Sequence, residues 1–132
     1  MTFASLLAAC EDPHVRDVKA RLAGTWSAES SEHGGVGRRV LTLEADGHLT
    51  ESVRLTAPGG AAATESRAGE WSFDGVNLKR KYTHVDGKPL TNAHFIYETH
   101  ELKSVTATEL VASSNVGRGE LRLKRGAGGE QP

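Results

Sequence analysis

Two charged side chains fall where strand alternation asks for apolar ones. In the run His48–Thr56, Leu49, Val53 and Leu55 share a face with Glu51. In the run Val76–Thr83, Val76, Leu78 and Tyr82 share a face with Arg80. Trp71 and Phe73 point together on the run before it. A mostly apolar lining with a few placed polar groups is the chemistry of a small-molecule site. On that reading Arg80 anchors a carboxylate or phosphate headgroup, Glu51 and Tyr82 fix its orientation, and Val53, Trp71 and Leu78 supply apolar contact. The other reading needs no ligand. A buried unpaired charge is too costly to keep, so Glu51 and Arg80 pair with each other inside, or sit at a wet mouth.

The histidines offer a second constellation. His84 ends one strand run and His94 and His100 alternate on one face of the next, so His84, His94 and Glu98 could form a His/carboxylate metal site. Their spacing matches no compact metal motif, and exposed histidines account for them equally well. Nucleophilic catalysis finds no support: no serine lies in a Gly-x-Ser-x-Gly turn, and no Gly-rich loop joins a strand to a helix to cradle phosphate. Arg38, Arg39 and Arg118 read as solvated surface charges. The expectation is therefore a protein that is not an enzyme, with no catalytic residues, no metal and no cofactor.

The elements that must hold these residues follow from turn chemistry. Asp46-Gly47, Asp74-Gly75 and Asp86-Gly87 each separate runs rich in Val, Leu, Thr, Tyr or Phe, which is a hairpin signal. Further breaks fall at His33-Gly34-Gly35, at Pro58 through Ala63, at Val105–Thr108 and at Asn115–Gly119. The runs between them are Thr25–Ser30, Arg38–Glu44, His48–Thr56, Glu65–Phe73, Val76–Thr83, Ala93–Leu102, Glu109–Ser114 and Glu120–Lys124, about eight strands. Links this short forbid parallel crossovers, so the sheet is antiparallel, and about eight such strands suffice to close an up-and-down barrel without edges. Ahead of them Asp12-Pro13 signals a helix start, Val15, Val18 and Leu22 share one helical face, and Gly24 ends it: a short helix suited to cover one end.

Bulk properties agree with one such domain. The chain has 132 residues, and 16 Lys and Arg against 17 Asp and Glu leave a net charge of -1. That balance lacks the basic footprint of a nucleic-acid binder. Cys10 is the single cysteine, so no disulfide forms within the chain. No apolar run approaches the roughly 20 residues of a membrane-spanning helix.

Two resemblances add expectations. Leu7-Ala8-Ala9-Cys10 resembles a bacterial lipobox, which implies cleavage before Cys10, acylation of its thiol and a periplasmic or cell-envelope address; without it Cys10 is incidental and the chain is cytoplasmic. Gly24-Thr25-Trp26 after a short helix is similar to the Gly-x-Trp signature of lipocalins. Leu41-x-Leu43-Glu44-Ala45-Asp46-Gly47 and Gly69-Glu70-Trp71-Ser72 are similar to bacterial lipocalin-like domains, as is the ending Leu121-Arg122-Leu123-Lys124-Arg125. The resemblance implies a calycin-type barrel with an apolar interior, in which a basic residue of the last strand, Arg125 or Lys124, packs over Trp26 to close one end.

The chain then divides into residues 1–10 as a signal or lipobox segment, 11–23 as a lid helix, 24–125 as the barrel and 126–132 as a disordered tail. The leading expectation is a lipocalin-like binding protein holding a small apolar or amphipathic molecule inside, anchored through Cys10 where the lipobox holds. The alternative is a periplasmic inhibitor-type barrel with a packed core, binding a protein partner through loops around Gly59 or Asn92.

Overall fold

The computed structural model describes residues 11–32, 35–114 and 119–126. Cys10 with the lipobox-like run before it, His33-Gly34, residues 115–118 including Arg118, and the residues from 127 onward lie outside them. Helix α1 (Pro13–Leu22) precedes strands β1 (Gly24–Glu32), β2 (Gly35–Leu43), β3 (His48–Thr56), β4 (Ala62–Phe73), β5 (Asn77–Val85), the two-residue β6 (Lys88–Pro89), β7 (Ile96–Val105), β8 (Glu109–Ser114) and β9 (Glu120–Arg125). Every pairing is antiparallel. Each long strand pairs with the next, and β9 returns to β1 through Trp26–Arg125 and Ser27–Lys124, so eight strands close an up-and-down barrel. The architecture is consistent with a calycin-like fold.

Several expected boundaries move, and pairing is the reason. Gly35 and Gly37 are poor strand formers, yet Gly35–Gly37 ladder with Ser30–Glu32, so the β1–β2 hairpin is longer at both arms. Ala62–Thr64, expected in a loop, ladder with Arg54–Thr56. β5 begins at Asn77 because Asp74 Oδ1 accepts from the backbone N–H of Val76 and Asn77; Val76 falls in the turn, 57% exposed, and does not share the inward face of Leu78. Asn92–His94 form a single 3₁₀ turn, closed by His94 N donating to the Thr91 carbonyl at 2.8 Å, so β7 starts at Ile96 and His94 is not on it.

The helix forms as its caps dictate. Asp12 Oδ1 accepts from His14 N at 2.8 Å and Pro13 fills the first helical position. Val18 and Leu22 are buried against the barrel and Val15 packs at their edge. Trp26 Nε1 donates to the Leu22 carbonyl at 2.8 Å, which ties the end of α1 to the first strand. The same barrel end holds Leu43, Leu49, Trp71, Phe73, Leu78, Leu110 and Leu123 in one continuous apolar cluster. That half of the interior is full.

Arg125 closes it. Its guanidinium carbon stands 4.0 Å from the centre of the Trp26 ring. Its nitrogens donate to the carbonyls of Ala23 at 2.9 Å, Arg21 at 2.8 Å and Ala107 at 3.2 Å. These bonds satisfy carbonyls that the end of a helix and a turn leave unpaired. Gly24 makes the approach feasible: its φ is +141°, and a Cβ there would lie 2.4 Å from Arg125 Nη1. The Gly24-Thr25-Trp26 signature is thus a stacking and capping device at the helix-covered end.

Candidate functional site

Halfway along the barrel the interior changes character. Tyr82 marks the boundary: its ring belongs to the apolar cluster and its hydroxyl to a layer of charge. The β4–β5 ladder shifts register between Ala68 and Gly69, where β5 carries Thr83 as an extra residue beside Tyr82. There a Cβ on Gly69 would fall 1.8 Å from the Lys81 carbonyl oxygen and 2.9 Å from Tyr82 Cα, so only glycine allows β4 and β5 to lie this close.

Glu51 and Arg80 meet in this layer, both nearly inaccessible to solvent at 4% and 2%. Arg80 Nη1 donates to the Tyr82 hydroxyl at 2.7 Å and lies 3.5 Å from Glu51 Oε2. The Tyr82 hydroxyl in turn donates to Glu51 Oε1 at 2.9 Å. Arg80 Nη2 donates to Glu98 Oε2 at 3.1 Å and faces His100 Nδ1 at 3.4 Å. Arg39 Nη1 completes Glu51 by donating to Oε2 at 3.0 Å. Among the described residues, Arg80 Nε is a buried side-chain nitrogen with no hydrogen-bond partner. The layer is a network of two guanidinium groups and two carboxylates bridged by a phenol, the kind of arrangement that makes a buried charge tolerable.

The environment shifts two of these groups. Burial pushes the Tyr82 phenol well above its ordinary range, so it stays a neutral donor to Glu51. Burial, and then the adjacent Arg80 charge, hold His100 below the ordinary histidine value. A neutral imidazole with a free Nδ1 lone pair is the state that accepts from Arg80.

Above the layer lies open space. A cavity of about 510 Å³ is lined by Arg39, Glu51, Val53, Leu55, Ala63, Thr64, Glu65, Arg67, Asp86 and Glu98. Its size is that of small-ligand sites. Arg67 reaches it from β4, directly opposite Glu51, with its Nε donating to Glu65 Oε1 at 2.7 Å and its guanidinium 5.6 Å from the Tyr82 ring centre. Asp86 reaches it from the β5–β6 turn, where a positive φ of 51° and a bond from Ser66 N to its Oδ1 at 2.9 Å hold it against β4.

The structure brings Glu51, Arg80 and Tyr82 together, with Val53 in the cavity wall above them. Trp71 and Leu78, expected in the same lining, lie instead in the packed half, and Trp71 Nε1 donates to the Glu44 carbonyl at 2.7 Å. Arg80 spends its terminal N–H groups on the network, which leaves little of it for a headgroup. Arg39 is not a solvated surface charge: it points inward on β2, opposite Val53. Arg38, beside it, faces out and pairs with Glu29 at 2.9 Å. Adjacent residues of a strand face opposite sides, so alternation with Leu41 and Leu43 on the run Arg38–Glu44 by itself turns Arg39 inward and Arg38 outward. Arg67 and Glu98 were legible the same way, as charges inward-facing by parity with Gly69 and His100.

The histidine constellation does not assemble. His84 bonds Thr83, His94 bonds Thr91, and Glu98 belongs to Arg80. Among the described residues, Glu44, Asp46 and His48 do bring three potential metal-ligand atoms within 4.8 Å, but all three are exposed. His48 and Asp46 are spent on each other at 2.9 Å. No protein-family model matches this chain, and no curated protein matches it.

Proposed function

We propose that this chain is a non-enzymatic, lipocalin-like binding protein that holds a small amphipathic molecule in the open half of its barrel. The observation that carries the reading is the cavity of about 510 Å³ seated on the Glu51–Arg80–Tyr82 layer, in a barrel whose other half is packed. A polar head would meet the charged floor, and apolar atoms would meet Val53, Leu55 and Ala63. This open volume favours a small-molecule ligand over an inhibitor-type barrel with a solid core. Envelope anchoring through Cys10 belongs to the same proposal, with palmitate incorporation lost in Cys10→Ala as its test.

The binding test is titration with a fluorescent 12-carbon fatty acid, followed by displacement with unlabelled amphiphiles. Saturable binding that Val53→Glu abolishes in the folded protein is the expected result. A flat titration across the panel removes the proposal.

A further inference from the structure

A second recess, of about 520 Å³, opens at the rim beside the cavity, between the β1–β2 and β3–β4 hairpins. Its walls are apolar and mostly small: Val36, Gly37, Pro58 and Ala62 line it, and it shares Leu55 and Ala63 with the cavity. Val36 and Leu55 are 49% and 60% exposed, the kind of apolar surface that marks a contact site. Gly37 sets the passage. A Cβ there would come within 2.9 Å of Ser30 Oγ and 3.2 Å of Leu55 Cδ2, so any larger residue would crowd the junction. The cavity and the recess thus meet at Leu55 and Ala63, with the charged floor on one side and the apolar rim on the other.

The polar side of that junction has unused donors. Arg39 gives one N–H to Glu51, and Arg67 gives one to Glu65; their other guanidinium N–H groups have no acceptor among the described residues. The carboxylates differ. Glu51 accepts from Arg39, Arg80 and Tyr82, and Glu98, Glu65 and Asp86 each already accept from Arg80, Arg67 and Ser66 N. Two partly enclosed guanidinium forks on either side of Glu51 suit a planar or tetrahedral oxyanion.

We propose that the ligand is a single-chain amphiphile with an acidic head, bound head-inward on Arg39 and Arg67 with its tail leaving over Leu55 along the rim recess. This rests on the binding reading above. The head is a carboxylate or a phosphate monoester, whose chemistry the two forks share, and the tail runs outside the barrel because the packed lower half has no space for it.

The test is a panel of ten-carbon probes on the full chain: decanoate, decyl phosphate, methyl decanoate, decanol, decyltrimethylammonium and decanoate with a dansyl group at the tail end. Decanoate or decyl phosphate should bind at least about tenfold tighter than the ester, the alcohol and the ammonium compound, and which of the two acids binds better identifies the head. The tail-tagged acid should bind as well as decanoate. Arg67→Gln should cost about tenfold for the acids and nothing for decanol. Each added CH₂ should gain about fourfold, and Val36→Ser with Leu55→Ser should flatten that gain without touching the charged layer. Preference for the ammonium compound, or binding of the ester but not of the tail-tagged acid, overturns the head-inward acidic ligand while leaving a binding barrel. Failure of every probe removes both.

Discussion

Two places in the barrel set an arginine against an aromatic ring for opposite purposes, one at the helix-covered end and one at mid-barrel. At the helix-covered end Arg125 lies over Trp26 and spends its N–H groups on backbone carbonyls of α1 and the β7–β8 turn. At mid-barrel Arg80 meets Tyr82 at its hydroxyl and spends its N–H groups on Glu51 and Glu98. Neutral backbone acceptors at the surface make Arg125 a latch that needs no counter-charge. Carboxylate acceptors in the interior make Arg80 part of a polar floor, and a polar floor must either be covered by protein or left open to water and ligand. Here protein nearly covers Arg80 and Glu51, and the cavity opens beside them over the partly exposed Arg39 and Glu98. The difference shows that an arginine–aromatic contact says nothing by itself about function; what the remaining guanidinium donors touch decides it.

The largest expected effects separate the ends by what is lost. Trp26→Ala should cost about 3–5 kcal/mol of unfolding free energy, as for other buried large aromatics, and leave binding intact in the fraction that folds. Arg80→Met should cost about 3–5 kcal/mol as well, because Glu51 keeps its burial and loses a partner, and it should also abolish binding. Denaturant melts paired with the fatty-acid titration distinguish them. Equal loss of binding in both variants would erase the division into a structural and a functional end.

Smaller effects test how independent the halves are. Tyr82→Phe removes the hydroxyl that bridges Arg80 to Glu51 and should cost about 1–3 kcal/mol. Gly24→Ala forces a Cβ onto Arg125 Nη1 at a positive φ and should cost about 1–3 kcal/mol. The two variants share no partner, so the double variant should equal their sum within about 0.5 kcal/mol. A larger coupling in denaturant midpoints would mean that the floor and the latch are one unit.

The smallest effect is a pH dependence confined to the open half. His100 faces Arg80, Glu98, Arg39 and Glu51, and its folded value is depressed. Above the ordinary histidine value of about 6.5 it is neutral folded and unfolded, and contributes nothing. As pH falls through 6.5 the unfolded chain takes up a proton that the folded site holds off, so stability declines until pH reaches the lower folded value. His100→Gln should remove this decline, read as the difference between the two proteins' melts from pH 7 downward.

Much of this architecture was legible in the chain itself. Asp-Gly turns at 46, 74 and 86 divide strands whose alternation places Glu51, Arg80 and Tyr82 inward, and a pairing of Glu51 with Arg80 was one of two readings. Less legible were residues whose strand membership depends on a neighbour. Gly35–Gly37 join β2 only because β1 holds them, and His94 leaves its expected strand for a 3₁₀ turn. Trp71 and Leu78 share the inward face of Arg80, but alternation assigns a side and not a depth.

The sequence by itself determined the strand count, the antiparallel order, the covering helix and the two charges inside, because these depend on local turn chemistry and on period-two alternation. Tertiary structure alone decided which half of the barrel is filled and which is open, since that depends on register across closed strands. It also decided that Arg39 and Arg67, rather than Arg80, keep terminal guanidinium N–H groups to spare. Within the charged layer, hydrogen bonds are shared out in space among residues up to 31 positions apart, as Tyr82 and Glu51 are, and no pattern along the chain records how they are divided.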